Sequence, residues 1–329
     1  MKRPFLSRLQ EACDLVGATL EVIPDADSSG RITLPSGRVR YFRRLRWDLN
    51  TLGAAAIALD KDATAHLLKQ FGYTVPTGRS FSYDGRRYQA SDIGRAYAYA
   101  QKLGLPVLLK PNDSYGDQHV VVVYNRKQFY AAAREVFATS NKLLVQRIAR
   151  GSDCSIVVLD GDVLMASEKT RPYVLGDGHS SIRTLMATNR RRGRAAGHPT
   201  ELRADDDRVR RHLAHSRQAL ETVPAAGQRV ELLPCGNLGV GGDVRVVTDM
   251  LHPKLRALAI RAVSDLGLRL ASLDLVLSRP SDALPRRCTI LDVNSAPGLD
   301  THEREPGRSR RRVDRVCKIL LALDRDPPI

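Results

Sequence analysis

Short apolar runs alternate with amphipathic segments between Tyr73 and Val145, and this alternation limits the possible folds more than any other feature. Short runs rich in Val and Leu are typical of buried strands, whereas apolar residues that recur with helical spacing are typical of amphipathic helices. An alternation of the two along a chain predicts α/β or α+β layering. The predicted elements are a helix from Ser91 to Leu103, a strand from Leu105 to Lys110, a strand from Val120 to Tyr124, a helix from Arg126 to Thr139 and a strand from Leu143 to Ile148.

The rest of the sequence predicts a small opening module and a longer second half. Turn residues and apolar spacing define the further elements. They are a helix at 6–18, a hairpin at 30–42, a helix at 63–71 opened by Asp60-Lys61-Asp62, a hairpin at 154–167 and a helix at 253–266. We interpret the run from Arg190 to Arg194 as a solvated loop. The predicted domains are 1–60, 61–145 and 146–329.

Composition excludes several classes of protein. The 329 residues are enough for two domains. No apolar run approaches the roughly 18 residues of a membrane span, and the first residues lack the pattern of a signal peptide. The five cysteines form no Cys-x-x-Cys pair and no zinc-like cluster. We therefore expect a cytoplasmic protein with no membrane association.

A formal charge of +16 raises nucleic acid as a partner, but 42 of the 52 basic residues are arginines spread along most of the chain. Aromatic residues make up only 5% of the sequence. An arginine-biased composition explains the charge as well as polyanion binding does. We therefore do not expect nucleic acid as a partner, although a nucleic-acid-binding protein stays a third interpretation. The charge is compatible with anionic substrates.

Two strand-like segments carry oxygen-bearing side chains near the end of the chain. Asp274 lies within an apolar run, and Asp292 and Asn294 are two residues apart in the next one. Because alternate residues of a strand share a face, Asp292 and Asn294 should point the same way, and Leu291 and Val293 the other way. Such oxygen ligands suit Mg²⁺, which often bridges to phosphates. The alternative is a polar strand end without a ligand.

A lysine ends another apolar strand. Lys110 follows Pro106-Val107-Leu108-Leu109, and a buried ammonium group needs an anionic partner such as a phosphate. The polar loop that comes next, which includes Ser114, could cover phosphates with its backbone amides. The alternative is a strand-end lysine that is simply solvated.

Three further segments could contribute to a nucleotide or substrate site. Backbone groups of the strand from Leu143 to Ile148 would pair with adenine, and Asp153 would meet a ribose hydroxyl. Glycines from Asn237 to Asp243 would allow close approach of a ligand. Lys169 and Arg171 would hold a phosphoryl or carboxylate group. The alternatives are an ordinary interior strand, a flexible hairpin tip and solvated surface side chains.

Taken together, these segments resemble the ATP-grasp ligases, most closely the branch that includes cyanophycin synthetase and bifunctional glutathione synthetase. The resemblance runs from about residue 60 to the end of the chain. The motifs that carry it are Asp60-Lys61, Gly72-Tyr73-Thr74-Val75-Pro76, Leu109-Lys110-Pro111, Gly176-Asp177-Gly178, Val223-Pro224-Ala225-Ala226-Gly227, Asn237-Leu238-Gly239-Val240-Gly241-Gly242, Thr248-Asp249-Met250-Leu251-His252-Pro253, Leu273-Asp274 and Asp292-Val293-Asn294-Ser295-Ala296-Pro297-Gly298.

The resemblance implies an α+β ATP-grasp fold, in which a small amino-terminal module precedes two α+β lobes that clasp ATP between antiparallel sheets. Residues 61–145 would form the nucleotide-binding lobe, and 146–329 the carboxy-terminal lobe with the metal site. The implied residues are Lys61, Lys110, Ser114, Gln146, Arg147, Ile148 and Asp153 for ATP; Asp274, Asp292 and Asn294 for Mg²⁺; Lys169 and Arg171 for catalysis; and Arg183, Asn237, Gly241 and Gly242 for the substrate.

The activity implied by the resemblance is an ATP-dependent carboxylate–amine ligase that forms an amide or peptide bond through an acyl phosphate, on amino acids or small peptides. It also implies possible self-association into a homo-oligomer. The chain departs from the family pattern where Asp292 replaces a glutamate and where the loop after Lys110 has the single glycine Gly116. These departures leave open a degenerate ATP-grasp protein that binds nucleotide or an anionic partner without ligation.

Overall fold

The chain folds into two compact units, each assembled from separated segments. The structure is a computed structural model that describes residues 4–26, 28–83, 88–113, 120–195, 202–234, 244–277, 288–299 and 308–325. Unit 1 comprises residues 1–75, 154–167 and 246–329, and unit 2 comprises residues 76–153 and 168–245. The boundary that we predict from the sequence at residue 60 lies within the first segment of unit 1, and the one at residue 145 lies within the first segment of unit 2.

Unit 1 contains an amino-terminal module and a larger sheet with its helices. Two of its strands, β9 and β10, continue at one end into unit 2. The elements are α1 (Pro4–Val16), β1 (Thr19–Val22), β2 (Ser29–Thr33), β3 (Val39–Arg43), β4 (Arg46–Trp47), α2 (Leu52–Leu59), α3 (Lys61–Gln70), β9 (Ser152–Leu159), β10 (Asp162–Lys169), α8 (Pro253–Asp265), β14 (Leu270–Leu277), β15 (Cys288–Asn294) and α9 (Arg308–Leu323).

Unit 2 contains a four-stranded sheet with two helices, followed by a smaller subdomain built around a two-stranded sheet. The strand β13 (Val244–Val246) lies at its boundary with unit 1. The elements are β5 (Gly78–Ser82), α4 (Ala90–Leu103), β6 (Val107–Pro111), β7 (Val121–Val123), α5 (Arg126–Phe137), β8 (Lys142–Arg147), β11 (Tyr173–Leu175), α6 (Ile182–Ala195), α7 (Asp207–His215) and β12 (Arg229–Glu231).

Four sheets organise the described residues, in the strand orders β1-β2-β3-β4, β13-β10-β9-β14-β15, β11-β12 and β5-β8-β6-β7. The pairings of β14 with β15, of β6 with β8 and of β11 with β12 are antiparallel. Helices together with antiparallel sheets confirm the predicted α+β class.

Separate apolar cores support the parts of each unit. In the amino-terminal module, α1 and α9 pack over the sheet formed by β1 to β4, and Phe42 and Trp47 of that sheet belong to the same core. The larger sheet of unit 1 packs against α8, with Leu273 and Val293 at 0% and 2% exposure. In unit 2, one core joins α4 and α5 to the four-stranded sheet, and another joins α6 and α7 to the β11–β12 sheet. Burial of these apolar faces is the main force that holds each part together.

Two arginine-rich segments are helical, and the predicted loop at Arg190–Arg194 is therefore wrong. These arginines form the last turns of α6, where positive charge is favourable beside the helix carboxyl end. Ile182 and Met186 are buried, one helical turn apart, and anchor the helix. The second run, Arg308–Arg312, begins α9, which the sequence analysis does not predict. Among the described residues, no helix combines the length and apolar character needed to cross a bilayer.

Candidate functional site

The three residues predicted to bind metal lie on one face of the β14–β15 pair in unit 1. Asp274 is directly opposite Asp292, and Asn294 is directly opposite Ser272. Side chains of directly opposed residues share a face, as do residues two apart on one strand. All four polar side chains therefore point the same way. Leu273 and Val293, which alternate with them, point into the core.

A β-bulge produces this arrangement. The register shifts after Asp274, so that Leu275 is opposite Ile290 and Leu291 is the extra residue on β15. A bulge places two residues of one strand opposite one residue of its partner. Ile290 can therefore face the core, although it would share a face with Asp292 in a regular strand. The sequence-based expectation holds for Val293, whereas Leu291 occupies the bulge.

Lys61 is paired with the carboxylate of Asp292. Its Nζ lies 3.5 Å from Asp292 Oδ2, and the two side chains are 10% and 28% exposed. Asp60 caps the helix α3 that begins at Lys61, because its side chain accepts hydrogen bonds from the backbone amides of Asp62 and Ala63. This capping interaction fixes the start of α3 and therefore the position from which the Lys61 side chain extends.

The remaining oxygens of this face make local contacts. Asp292 Oδ1 accepts a hydrogen bond from the backbone amide of Val293 at 3.1 Å, and Asn294 Oδ1 accepts one from Ala296 at 2.9 Å. Two carboxylates and one amide oxygen form a donor set that fits Mg²⁺. No cluster of three or more His, Cys, Asp or Glu side chains able to hold a metal occurs among the described residues.

The residues predicted to contact ATP in unit 2 include two buried polar side chains on one face of the four-stranded sheet. Lys110 on β6 is opposite Leu144 on β8, and Gln146 is opposite Leu108. Lys110 and Gln146 therefore share a face, and they are only 7% and 6% exposed. The opposite face of the sheet forms the core with α4 and α5. A buried lysine on the face away from the core is a strong candidate for anion binding.

Gly78 on β5 permits the close packing around Gln146. It is directly opposite Gln146, and a Cβ atom added to Gly78 would lie 3.1 Å from Gln146 Cγ and 3.0 Å from the carbonyl oxygen of Val145. A side chain at residue 78 would therefore require Gln146 to shift by a few tenths of an ångström.

The other residues predicted for the nucleotide lie along the exit from β8. Arg147 is exposed, and its guanidinium donates to the carbonyl oxygen of Leu103 at 3.1 Å. Ile148 directly follows the strand, and Asp153 is the second residue of β9. Both are partly buried. Ser114 lies outside the described residues, as do Asn237, Gly241 and Gly242 of the predicted substrate site.

The two predicted catalytic side chains lie at and just after the end of β10. Lys169 is the last residue of that strand and is partly buried. Arg171 Nη1 lies 3.1 Å from Glu231 Oε2, and Nη2 donates to the carbonyl oxygen of Gly151 at 3.2 Å. Arg171 is therefore held by β12 and by the segment that follows β8. Glu231, which the sequence analysis does not select, is its charged partner.

Arg183 and the Gly-Asp-Gly motif belong to the β11–β12 subdomain. Arg183 forms a 2.6 Å ion pair with Glu221, and the two side chains are 50% and 70% exposed. A Cβ atom at Gly176 would collide with the carbonyl oxygens of Pro224 and Ala225, so these two sequence motifs pack directly together. Hydrogen bonds from Ser180 and His179 lower the pKa of Asp177 to about 2. The role of Arg183 in substrate binding stays a prediction.

Comparisons with known proteins give two kinds of relative. No protein-family model matches the chain. It is 32% identical to a cyanophycin synthetase of Trichormus variabilis over 256 residues, which is 75% of this chain and 27% of that protein. It is 25% identical to a glutathione biosynthesis bifunctional protein of Desulfotalea psychrophila over 269 residues, 79% of this chain and 34% of that protein. The chain thus spans about a third or less of these relatives.

One solved structure supports the fold over nearly the whole chain. The bifunctional glutathione synthetase of Pasteurella multocida matches with a TM-score of 0.59 at 21% identity, and the match covers 95% of this chain and 44% of that one. At this identity the likeness establishes the fold alone.

Proposed function

We propose that this chain, which belongs to the ATP-grasp superfamily, is an ATP-dependent carboxylate–amine ligase that forms an amide or peptide bond through an acyl phosphate. The names of its relatives, a cyanophycin synthetase and a glutathione biosynthesis protein, support amino acids or small peptides as substrates. Because the chain spans only part of those relatives, support for the proposed activity must also come from the residues of this chain.

The observation that carries the proposal is the polar face of β14 and β15. Asp274, Asp292 and Asn294 would hold Mg²⁺, and Lys61 beside Asp292 would add positive charge close to them. Bound there, Mg²⁺ would neutralise negative charge on the phosphoryl oxygens. In unit 2, buried Lys110 would bind a phosphate and the backbone near Gln146 would bind adenine.

The reaction needs positioning and charge stabilisation rather than a protein nucleophile. A substrate carboxylate oxygen attacks the γ-phosphorus of ATP, and ADP leaves. An uncharged amine then attacks the carbonyl carbon of the acyl phosphate. Inorganic phosphate leaves with the electrons of the broken C–O bond, and the nitrogen gives up a proton to solvent. Lys169 and Arg171 would stabilise the charge on the transferred group.

A second candidate function is nucleotide binding without ligation. It is favoured by the single glycine, Gly116, in the loop after Lys110 and by Asp292 in place of a longer glutamate. The shorter carboxylate reaches less far toward a metal ion. This candidate predicts nucleotide binding in the absence of any product.

A substrate screen tests the two candidates. The protein is incubated with Mg-ATP and pairs of amino acids, and ADP is measured together with a product whose mass is the sum of the substrates minus water. The ligase proposal predicts ADP formation that depends on both the acid and the amine. Nucleotide binding with no ADP from any pair would favour the second candidate.

We also propose a cytoplasmic location. Cys13, Cys154, Cys288 and Cys317, the cysteines that the structure describes, are free thiols, as expected in a reducing compartment.

A further inference from the structure

Tyr124 is held between two histidines of α7. Its hydroxyl lies 3.0 Å from Nδ1 of His212, and its ring stacks on His215 with centroids 4.2 Å apart. The histidines are three residues apart, so both lie on one face of the helix. Tyr124 directly follows β7 of the four-stranded sheet. This histidine clamp, Tyr124 with His212 and His215, therefore fastens the β11–β12 subdomain to that sheet within unit 2.

Further contacts connect the histidine clamp to Arg171 and the groups that hold it. Glu231 on β12 is the ion-pair partner of Arg171. Strand β12 packs in one apolar core with α7, through residues that include Val230 and Leu213. Arg171 in turn donates to Gly151, which follows β8. Contacts thus run from β7 to α7, across the apolar core to β12, and from β12 through Arg171 to the exit from β8. Moving α7 would disturb the groups that hold Arg171.

The charge state of His212 determines whether its ring can accept the hydrogen bond from Tyr124. Burial lowers the pKa of His212 below its ordinary value of 6.5, Glu231 opposes that shift, and His215 and Arg171 reinforce it. The neutral ring therefore predominates at neutral pH, and its Nδ1 can accept a hydrogen bond from the hydroxyl of Tyr124. Protonation would remove that acceptor and place a second cation near Arg171.

We propose that the histidine clamp holds Arg171 in position to bind the carboxylate of the acceptor, the substrate that accepts the phosphoryl group, and that the clamp loosens in acid. The catalytic part of this inference rests on the proposed ligase function. Tyr124, His212 and His215 are positioning residues that act through Glu231 and Arg171, and they need not touch the substrate. The clamp itself can be tested without turnover.

Three variants separate the hydrogen bond from the ring contacts. Tyr124→Phe keeps the stacking on His215 and removes the hydroxyl. His212→Asn keeps an acceptor near the position of Nδ1 but cannot become a cation. Tyr130→Phe removes a hydroxyl from another tyrosine of unit 2 that packs against Tyr97 and Phe129, and serves as the matched control.

Amide hydrogen exchange tests the clamp first. Loss of one hydrogen bond predicts that Tyr124→Phe speeds exchange in α7 and β12 by about threefold to tenfold at pH 7.5. Wild-type protein should show the same increase below pH 6.5, after correction for intrinsic rates, whereas His212→Asn should not. The clamp is refuted if Tyr124→Phe exchanges like Tyr130→Phe, or if His212→Asn keeps the wild-type pH dependence.

Kinetics then test the link to Arg171. Tyr124→Phe should raise KM for the acceptor by about threefold to tenfold and leave KM for ATP within twofold. An unchanged acceptor KM in a protein that ligates would overturn the positioning role. Absence of ligation by the wild type would refute that role together with the ligase proposal, while the exchange result would still decide whether the clamp exists.

Discussion

Lys61 Nζ lies 3.5 Å from Asp292 Oδ2, so the ammonium group at the start of α3 partly neutralises a carboxylate on β15. If Asp292 is a magnesium ligand, Asp292→Asn removes one negative charge from the ligands of the ion and also removes the carboxylate that pairs with Lys61. We predict that this variant raises the Mg²⁺ concentration needed for half-maximal activity by at least about tenfold. Steady-state rates across a magnesium titration measure the effect.

Two control variants sharpen this prediction. Asp292→Glu keeps the charge and should retain most of the magnesium affinity. Asp162→Asn removes an exposed carboxylate from the same unit and should leave the titration unchanged. Equal magnesium requirements in Asp292→Asn and the wild type would exclude Asp292 as a ligand.

Lys110 is only 7% exposed, on the face of its sheet opposite the α4–α5 core. Lys110→Met keeps much of the side-chain volume but removes the charge available to a phosphate. A ligand at a hundred times its Kd stabilises a protein by about 2.7 kcal/mol, so loss of binding removes that stabilisation. We therefore predict that ATP raises the Tm of the wild type but not of Lys110→Met, as measured by thermal denaturation.

The exposed Lys127 on α5 provides the comparison, because Lys127→Met removes an equal charge away from the buried lysine. That variant should keep the full rise in Tm with ATP. A normal rise in Lys110→Met would show that this lysine does not hold the nucleotide.

A Cβ atom at Gly78 would approach Gln146 Cγ to 3.1 Å, so an alanine there would require Gln146 to shift by a few tenths of an ångström. We predict that Gly78→Ala weakens ATP binding severalfold, because it shifts the strand whose backbone would pair with adenine. Isothermal titration with a nonhydrolysable ATP analogue measures this change. Gly94→Ala is the control, because its Cβ would meet only the hydroxyl of Tyr130 at 4.0 Å and an alanine favours the helix α4. Similar affinities in the two variants would argue against adenine binding at Gln146.

Much of the fold is predictable from local sequence patterns. The helices α3, α5 and α8 and the hairpin β2–β3 follow from apolar spacing and turn residues, because each has one face buried in a core. The shared face of Asp292 and Asn294 agrees with the alternation along one strand, whereas Asp274 shares that face because it pairs with Asp292 across the sheet.

Three features are missing from the sequence-based predictions. The bulge at Leu291 depends on pairing with β14, and the sequence of one strand alone does not determine the register of that pairing. Helix α9 was obscured by its opening arginines, although Val313, Val316 and Leu320 repeat with helical spacing and are buried. The histidine clamp joins residues 88 positions apart. The spacing of His212 and His215 was its only local signal.

Oxygen transfer from the substrate tests the central claim, an acyl phosphate intermediate, most directly. The wild-type protein is incubated with Mg-ATP, an amine and an acid whose carboxylate is labelled with ¹⁸O, and the released phosphate is analysed by mass spectrometry. When both carboxylate oxygens are ¹⁸O, the account predicts that each phosphate formed during ligation carries one ¹⁸O atom from the carboxylate. Ligation that releases unlabelled phosphate, or that converts ATP to AMP and pyrophosphate, would contradict it.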